Sequence, residues 1–339
     1  MSVISISIDI CNSTKIKQDI SVIGRLDQEY VRRLYEDFVL QAAVNEVDFY
    51  ACMVDAGLSQ DQIFVVKAIG DEVWTLYELG DIKPGTLAFN QVIQGLLSAS
   101  EAIAARTRVM QADDLAGDFS AEVDSSRRLD RSEKSIRIVP KIYLDLIEDF
   151  IDFSKVRTDY FQLRMSELLQ GQTEPDEQIM QDNPDIPGRF ALGKLPDNLG
   201  TRYKTAFRTD PVGYEVDVFF RSAKAAVPGM TSIGERLFNA LLQYDGSQMI
   251  NDRRDNRQLF DLAGSDDGSS DSYIHLNRIL SDLKGVEGDY TIHFLHKESA
   301  FKDRLRSWMD EPEIYRETLN LLVKRRDTID VFHGHRFQE

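Results

Sequence analysis

Residues 4–14 read ISISIDICNST and residues 67–74 read KAIGDEVW, and these two stretches together decide the fold. In the first, Ile4, Ile6, Ile8 and Ile10 alternate with Ser5, Ser7 and Asp9. A period of two predicts a strand with one oily face, which delivers Asp9 on its polar face where the strand runs out. In the second, Gly70 permits a tight turn with Asp71 at its tip, between VVKAI and EVWTLYEL, which read as two strands of one hairpin. Two strand-end carboxylates with no histidine or cysteine among them suit magnesium or manganese rather than zinc, and such ions accompany nucleotide phosphates. Strand-end aspartates also serve as plain turn formers, so the pair calls for a third element.

That element is TDPVGYEVDVFFRSAKAAVPG, Thr209 to Gly229. Pro211 and Gly213 break the chain, and the spacing of Val216, Phe220 and Ala223 predicts a helix from Tyr214 with one buried stripe, ended by Pro228 and Gly229. Asp217 and Arg221 then stand four apart on one face, where a helical salt bridge is the bland account of the pair.

The three segments together resemble the class III nucleotidyl cyclases. DICNST is similar to that family's metal-aspartate strand with its short turn ending in a hydroxyl residue, and Lys67, Ile69, Gly70 and Asp71 are similar to its second metal hairpin. Asp210, Gly213, Val216 and Arg221 fall in register with a third motif, in which Asp217 replaces the usual asparagine. AVPGMTSIGERLFNAL and LKGVEGDYTIHFL resemble the following strand and helix and the final hairpin. The resemblance implies an α+β, ferredoxin-like catalytic domain, an antiparallel sheet with helices, that joins the ribose 3′ oxygen to the α phosphorus and releases pyrophosphate. It implies two Mg2+ or Mn2+ ions bridged by Asp9 and Asp71 with the Ile10 carbonyl as a further ligand. Amides around Asn12, Ser13 and Thr14 would cradle the β and γ phosphates at a helix start. Arg221 would neutralise charge in the transition state, and Lys284 would grip the triphosphate, an ordinary surface lysine being the alternative. The family divides these groups between two copies, which implies a homodimer with shared sites and an inactive monomer.

The family's base-reading positions match Lys67 and Asp210, a pair that ordinarily implies adenine. Two features point instead to a pyrimidine. An ionised Asp217 is a poor neighbour for phosphate unless a donor or metal tolerates it. Tyr50, in DFYACMVD, precedes the second strand and would narrow a base pocket, unless it is a core or rim tyrosine. The string TDPVGYEVDVFFR resembles the pyrimidine cyclases of bacterial Pycsar antiphage systems, whose cyclic UMP or cyclic CMP is read by a separate effector. UTP is the expected substrate, with CTP, then ATP, then a non-catalytic nucleotide-binding regulator as alternatives.

With 339 residues, 42% hydrophobic and 29% charged, the chain can bury a sizeable core. A net charge of −17 argues against nucleic acid and anionic membranes as partners. No apolar run approaches about 18 residues and MSVISISIDI lacks a basic signal region, so a cytoplasmic location is expected. The two cysteines need no bridge, although Cys11 lies near the proposed metal site. Leu26, Tyr30, Leu34 and Phe38 mark a long helix, and Leu87 to Met110 a second. Ile136 to Leu144 reads as a strand and Asp145 to Leu169 as helical. The organisation expected is a cyclase domain over residues 1–295, enlarged by an insertion at about 112–200 near the dimer interface, and a C-terminal helical extension over 296–339. The acidic run AGSDDGSSDS, residues 263–272, lacks calcium-loop spacing and reads as a solvated loop, and His333 and His335 sit in a tail that reads as a polar strand or fraying end.

Overall fold

In the computed structural model, the strand predicted at the N-terminus is β1 (Val3–Ile10), and the predicted hairpin is β2 (Ile63–Ile69) and β3 (Glu72–Glu78). The structure describes residues 2–11, 13–14, 16–18, 32, 38, 45–69, 71–104, 108–110, 136–152, 211–252, 257–263, 270–281, 283–284, 286 and 288–301. Residues 45–55 are helical, and α1 (Leu87–Ala104) follows the hairpin. The chain then forms β4 (Arg108–Met110), β5 (Ile136–Ile138), β6 (Pro140–Ile147), β7 (Ile151–Asp152) and β8 (Pro211–Val212). Next come α2 (Tyr214–Ala223), β9 (Thr231–Gly234) and α3 (Glu235–Leu242). The last strands are β10 (Gln248–Asp252), β11 (Arg257–Ala263), β12 (Ser270–Leu280) and β13 (Tyr290–Lys297).

One nine-stranded sheet runs in the order β10-β11-β12-β13-β9-β6-β1-β3-β2, beside the small pairs β4-β5 and β7-β8. Within it, β2-β3-β1-β6 pair antiparallel throughout, and helical segments lie in sequence between β1 and β2 and between β3 and β6. That is the split β-α-β order of a ferredoxin-like α+β fold, as the resemblance implied. The other half, β9-β13-β12-β11-β10, is also antiparallel, and the two halves meet at the parallel pair β6-β9.

Both faces of the central strands are covered. Ile4, Ile6 and Ile8 pack with Phe49 and Met53 of the helical segment 45–55, with Phe89, Ile93 and Leu96 of α1, and with Leu237 and Leu241 of α3. On the opposite face α2 lays Val216, Phe219 and Ala223 against Trp74, Tyr143 and Ile292. Phe219 and Phe220 contact Trp74 at ring separations of 6.5 and 4.7 Å, and these aromatic contacts seat the helix. Val218 and Ser222 are buried as well, and Phe220, predicted for the stripe, is only half-buried.

Three expectations are corrected. Residues 145–147 are strand rather than helix, because β6 is held by β1 on one side and β9 on the other, and Ile151–Asp152 is again a strand. The second helix stops at Ala104, and Arg108–Met110 pairs with Ile136–Ile138. The span assigned to an insertion contains β6, a central strand, so any insertion flanks it. Most of the predicted first long helix, most of the 112–200 span, the acidic run at 264–269 and residues 302–339 with His333 and His335 lie outside the described residues. Among the described residues no helix is long and apolar enough to cross a membrane. Cys11 and Cys52 carry no disulfide.

Candidate active site

Strand register builds the site. Asp9 of β1 lies directly opposite Lys141 of β6, and Ile8 lies opposite Val73 of β3, so the next position along faces Glu72. Cross-strand neighbours share a face, which groups Asp9, Glu72 and Lys141 at one end of the surface that carries α2. Asp71 joins them from the β2-β3 turn, and its carboxyl hydrogen-bonds with that of Asp9. Lys141 Nζ lies 3.0 Å from Asp9 Oδ2, and Lys17 Nζ lies 2.5 Å from Asp71 Oδ1. The Ile10 amide donates to Asp9 Oδ1 at 2.8 Å, and the Ser7 hydroxyl donates to Glu72 Oε1 at 2.6 Å.

The charges respond to this crowding. Burial pushes the Asp9 carboxyl above its ordinary value, opposed by Lys141 and reinforced by Asp71. Burial works on Asp71 in the same direction, but the Lys17 ammonium, the Ser13 hydroxyl and the hydrogen bond with Asp9 outweigh it, so Asp71 lies below the usual range. Glu72 is raised by burial, with the Ser7 bond opposing and the charges of Asp9 and Asp71 adding. Asp9 and Glu72 are each pushed up by burial and further by the neighbouring carboxylate charges, which marks a site that a cation would relieve.

The donors present fit a hard divalent cation. They are oxygens, and Asp71 Oδ2 is buried with no hydrogen-bond partner, an orphaned carboxylate oxygen that a cation would satisfy. Among the described residues there is no cluster of three or more His, Cys, Asp or Glu side chains arranged as a metal cage. Two carboxylates completed by backbone oxygen, water and substrate phosphate are the usual way magnesium is held.

The remaining sequence-predicted residues are placed as follows. Ser13 is half-buried at the helical residues after β1 and bonds Asp71, and Thr14 beside it is exposed. Ile10 is buried at the end of β1. Lys67 lies in β2, a neighbour of β3. Asn12, Gly70 and Asp210 lie outside the described residues. Asp217 is exposed and Arg221 half-buried on α2, and among the described residues no hydrogen bond or ion pair holds either side chain. Lys284 is exposed in the connection from β12 to β13, and β6 and β9 separate β13 from β1 in the sheet. One chain therefore does not bring Lys284 to the aspartates.

Tyr50 takes the alternative offered for it, a tyrosine of the core's rim. It sits in the helical segment 45–55 and packs against the Ile4, Ile6 and Ile8 core, on the face of the sheet opposite Asp9. It is a rim tyrosine of the core and does not line the carboxylate cleft.

Sequence reasoning missed a second polar centre on the same face. Ser5 lies opposite Asp145, four positions along β1 from Asp9, about 13 Å away. Asp145 is fully buried, accepts from the amides of Leu146 at 2.9 Å and Leu237 at 3.2 Å, and accepts from the hydroxyls of Tyr290 and Tyr143. Arg236 stands 3.8 Å from Asp145 Oδ2 and pairs with Glu215 of α2 at 3.0 Å. Glu215 in turn accepts from the amides of Glu148 and Asp149, at 2.7 and 3.0 Å. Burial raises Asp145 to about 6 against the pull of Arg236. The signal was present in KIYLDLI, where Lys141, Tyr143 and Asp145 put polar groups at period two in an apolar run.

No family model matches the sequence, and no curated protein matches it. Solved structures that align with it include a monomeric guanylyl cyclase domain of the RhoGC fusion protein from the aquatic fungus Blastocladiella emersonii, at TM-score 0.39 and 12% identity over 88% of this chain and 96% of that one. The guanylate cyclase domain of RhGC from Catenaria anguillulae, in complex with GTP, aligns at TM-score 0.36 and 12% identity over 87% and 96%. The adenylyl cyclase CyaB from P. aeruginosa aligns at TM-score 0.37 and 10% identity over 88% and 94%. The fold assignment rests on strand order and register rather than on these scores.

Proposed function

We propose that the chain is a metal-dependent nucleotidyl cyclase that closes a pyrimidine nucleoside triphosphate, UTP before CTP, to its 3′,5′-cyclic monophosphate with release of pyrophosphate. The observation that carries the reading is the meeting of Asp9 and Asp71, brought from the end of β1 and the β2-β3 turn, with one buried carboxylate oxygen left unpartnered. Asp9 and Asp71 would hold a magnesium or manganese ion, which would supply charge neutralisation at the phosphates and acidify the attacking hydroxyl. Asp9 and Asp71 hold that charge in place, and the adjoining Glu72, tied to Ser7, keeps the cleft acidic. Ser13 and Thr14 stand at a helix start, where free amides favour phosphate.

Arg221 and Lys284 act on the site of a second copy in this reading, with Asp210 and Lys67 at the base, so the active form is a homodimer. The pyrimidine preference is supported by Asp217 and the TDPVGYEVDVFFR string, without Tyr50. The product is a second messenger for a separate effector in antiphage defence.

The test is incubation of the purified protein with each of ATP, GTP, CTP and UTP plus manganese, with products separated by chromatography. Cyclic UMP as the main product is expected, and Asp9→Ala abolishes it while the melting profile stays cooperative. Cyclic AMP alone ends the pyrimidine reading, and no cyclic product from any substrate ends the enzyme reading.

A further inference from the structure

We infer that Lys17 and Lys141 are built-in competitors of the divalent cation, holding the carboxylate pair together when metal is absent and setting the affinity with which metal displaces them. The inference rests on the cation-binding reading of Asp9 and Asp71 and adds a control on it. The two ammonium groups reach the pair from different elements, Lys141 from β6 across the register from Asp9 and Lys17 from the helical residues after β1. They contact Asp9 Oδ2 and Asp71 Oδ1, oxygens that a cation would need. The carboxylates are shielded from water, with side-chain exposures of 29% for Asp9 and 11% for Asp71, so neither can lose its counter-charge without replacement.

Asp71 Oδ2 is the open position. It is buried and unbonded, so a cation can engage it before the lysine contacts break. While paired with Asp71, the Lys17 ammonium also lies 5.4 Å from the centre of the buried Phe38 ring, a second contact that helps to hold it there. Lys141 is the stiffer competitor, because its side chain is 15% exposed against 38% for Lys17.

The experiment uses the full chain without nucleotide. Manganese binding is followed by electron paramagnetic resonance of the free ion, and melting is followed in chelator and in saturating manganese. Lys141→Met is expected to bind manganese about tenfold more tightly. Its metal-free form should melt about 2–4 °C lower, with the gap closing when manganese is added. Lys17→Met, more exposed and so better tolerated, should move both readings in the same direction by less. Lys141→Arg should keep the wild-type affinity. Lys224→Met, which removes an exposed charge at the end of α2, is the control and should change neither.

Unchanged or weaker affinity in both methionine variants overturns the inference while leaving the cation site standing. An equal gain in Lys224→Met overturns it by showing that overall charge alone is at work. No manganese binding by wild type or any variant overturns the inference together with the cation reading beneath it.

Discussion

Gly234→Ala probes the buried acid at the join of the two half-sheets. Gly234 has φ −76° and ψ 162°, a conformation open to alanine, so the backbone adds no penalty and the test is of space alone. An added Cβ would meet Asp145 Cγ at 2.1 Å and its two oxygens at 2.2 and 2.3 Å, where ordinary contact begins at 3.4 Å. The carboxylate would have to retreat by more than an ångström. Retreat disturbs its bonds to the amides of Leu146 and Leu237 and to Tyr290, and its pairing with Arg236. Overpacking a buried site costs about 1–3 kcal/mol, and each buried donor left without a partner costs about 1–3 kcal/mol more. A loss of about 3–5 kcal/mol is therefore expected. Urea unfolding measures it, with Asp145→Ala and the double variant completing a cycle. With the carboxylate gone the added methyl has room, so the double variant should be far more stable than the sum of single losses allows. A Gly234→Ala protein within about 1 kcal/mol of wild type, or a strictly additive cycle, would refute the account.

Other outcomes follow from the same contacts. Asp145 titrates at about 6 in the folded chain and near 4 when unfolded, so its proton favours the fold. The resulting stability is present below about pH 4 and is lost as pH rises to about 6, by about 3 kcal/mol; urea titrations of wild type and Asp145→Asn across that window should diverge, and parallel curves would contradict it. Glu215→Ala removes the ion pair to Arg236 and the acceptor for two backbone amides, and should cost about 1–3 kcal/mol. Hydrogen exchange should quicken at residues 214–220 while β1 and β3 stay protected; uniform quickening would show that Glu215 does not anchor α2 locally. Trp74→Phe leaves the buried Ser5 hydroxyl without its 2.7 Å donor, and its loss in urea unfolding should shrink when Ser5→Ala is added; equal losses in both backgrounds would mean the bond contributes nothing.

The sequence reading succeeded where the signal was local. The two-residue alternation of Ile4 to Asp9, the turn before Glu72 and the break at Pro211 and Gly213 each named its element, whereas the pairing of Asp9 with Asp71 came from the resemblance to the class III nucleotidyl cyclases and not from either stretch alone. It failed where distant chain decides. Residues 145–147 look helical beside their charged followers, yet pairing on both sides makes them strand. The Lys17 and Asp71 pair joins residues 54 apart, and Glu215 reaches Glu148 across 67, and neither separation leaves a mark in the composition of either segment. Tyr50 was read as narrowing a base pocket, whereas it packs partly buried against the core beside the fully buried Phe49. Ser5 and Ser7 read as a polar face, but both are buried, and their hydroxyls bond Trp74 and Glu72.

The parallel join of β6 to β9 has a mechanical meaning. It is three residue pairs long, from Ile142 beside Thr231 to Leu144 beside Ile233, so it links chain about 90 residues apart through few hydrogen bonds. Every other ladder of the nine-stranded sheet is longer, from four residue pairs in β9-β13 to eight in β1-β6, so this contact is the sheet's shortest seam and the first expected to part under load. Asp145 and Gly234 come next along that register, and the acid receives bonds from Leu237 on one side of the join and Leu146 on the other. The acid thus acts as a rivet across a short weld.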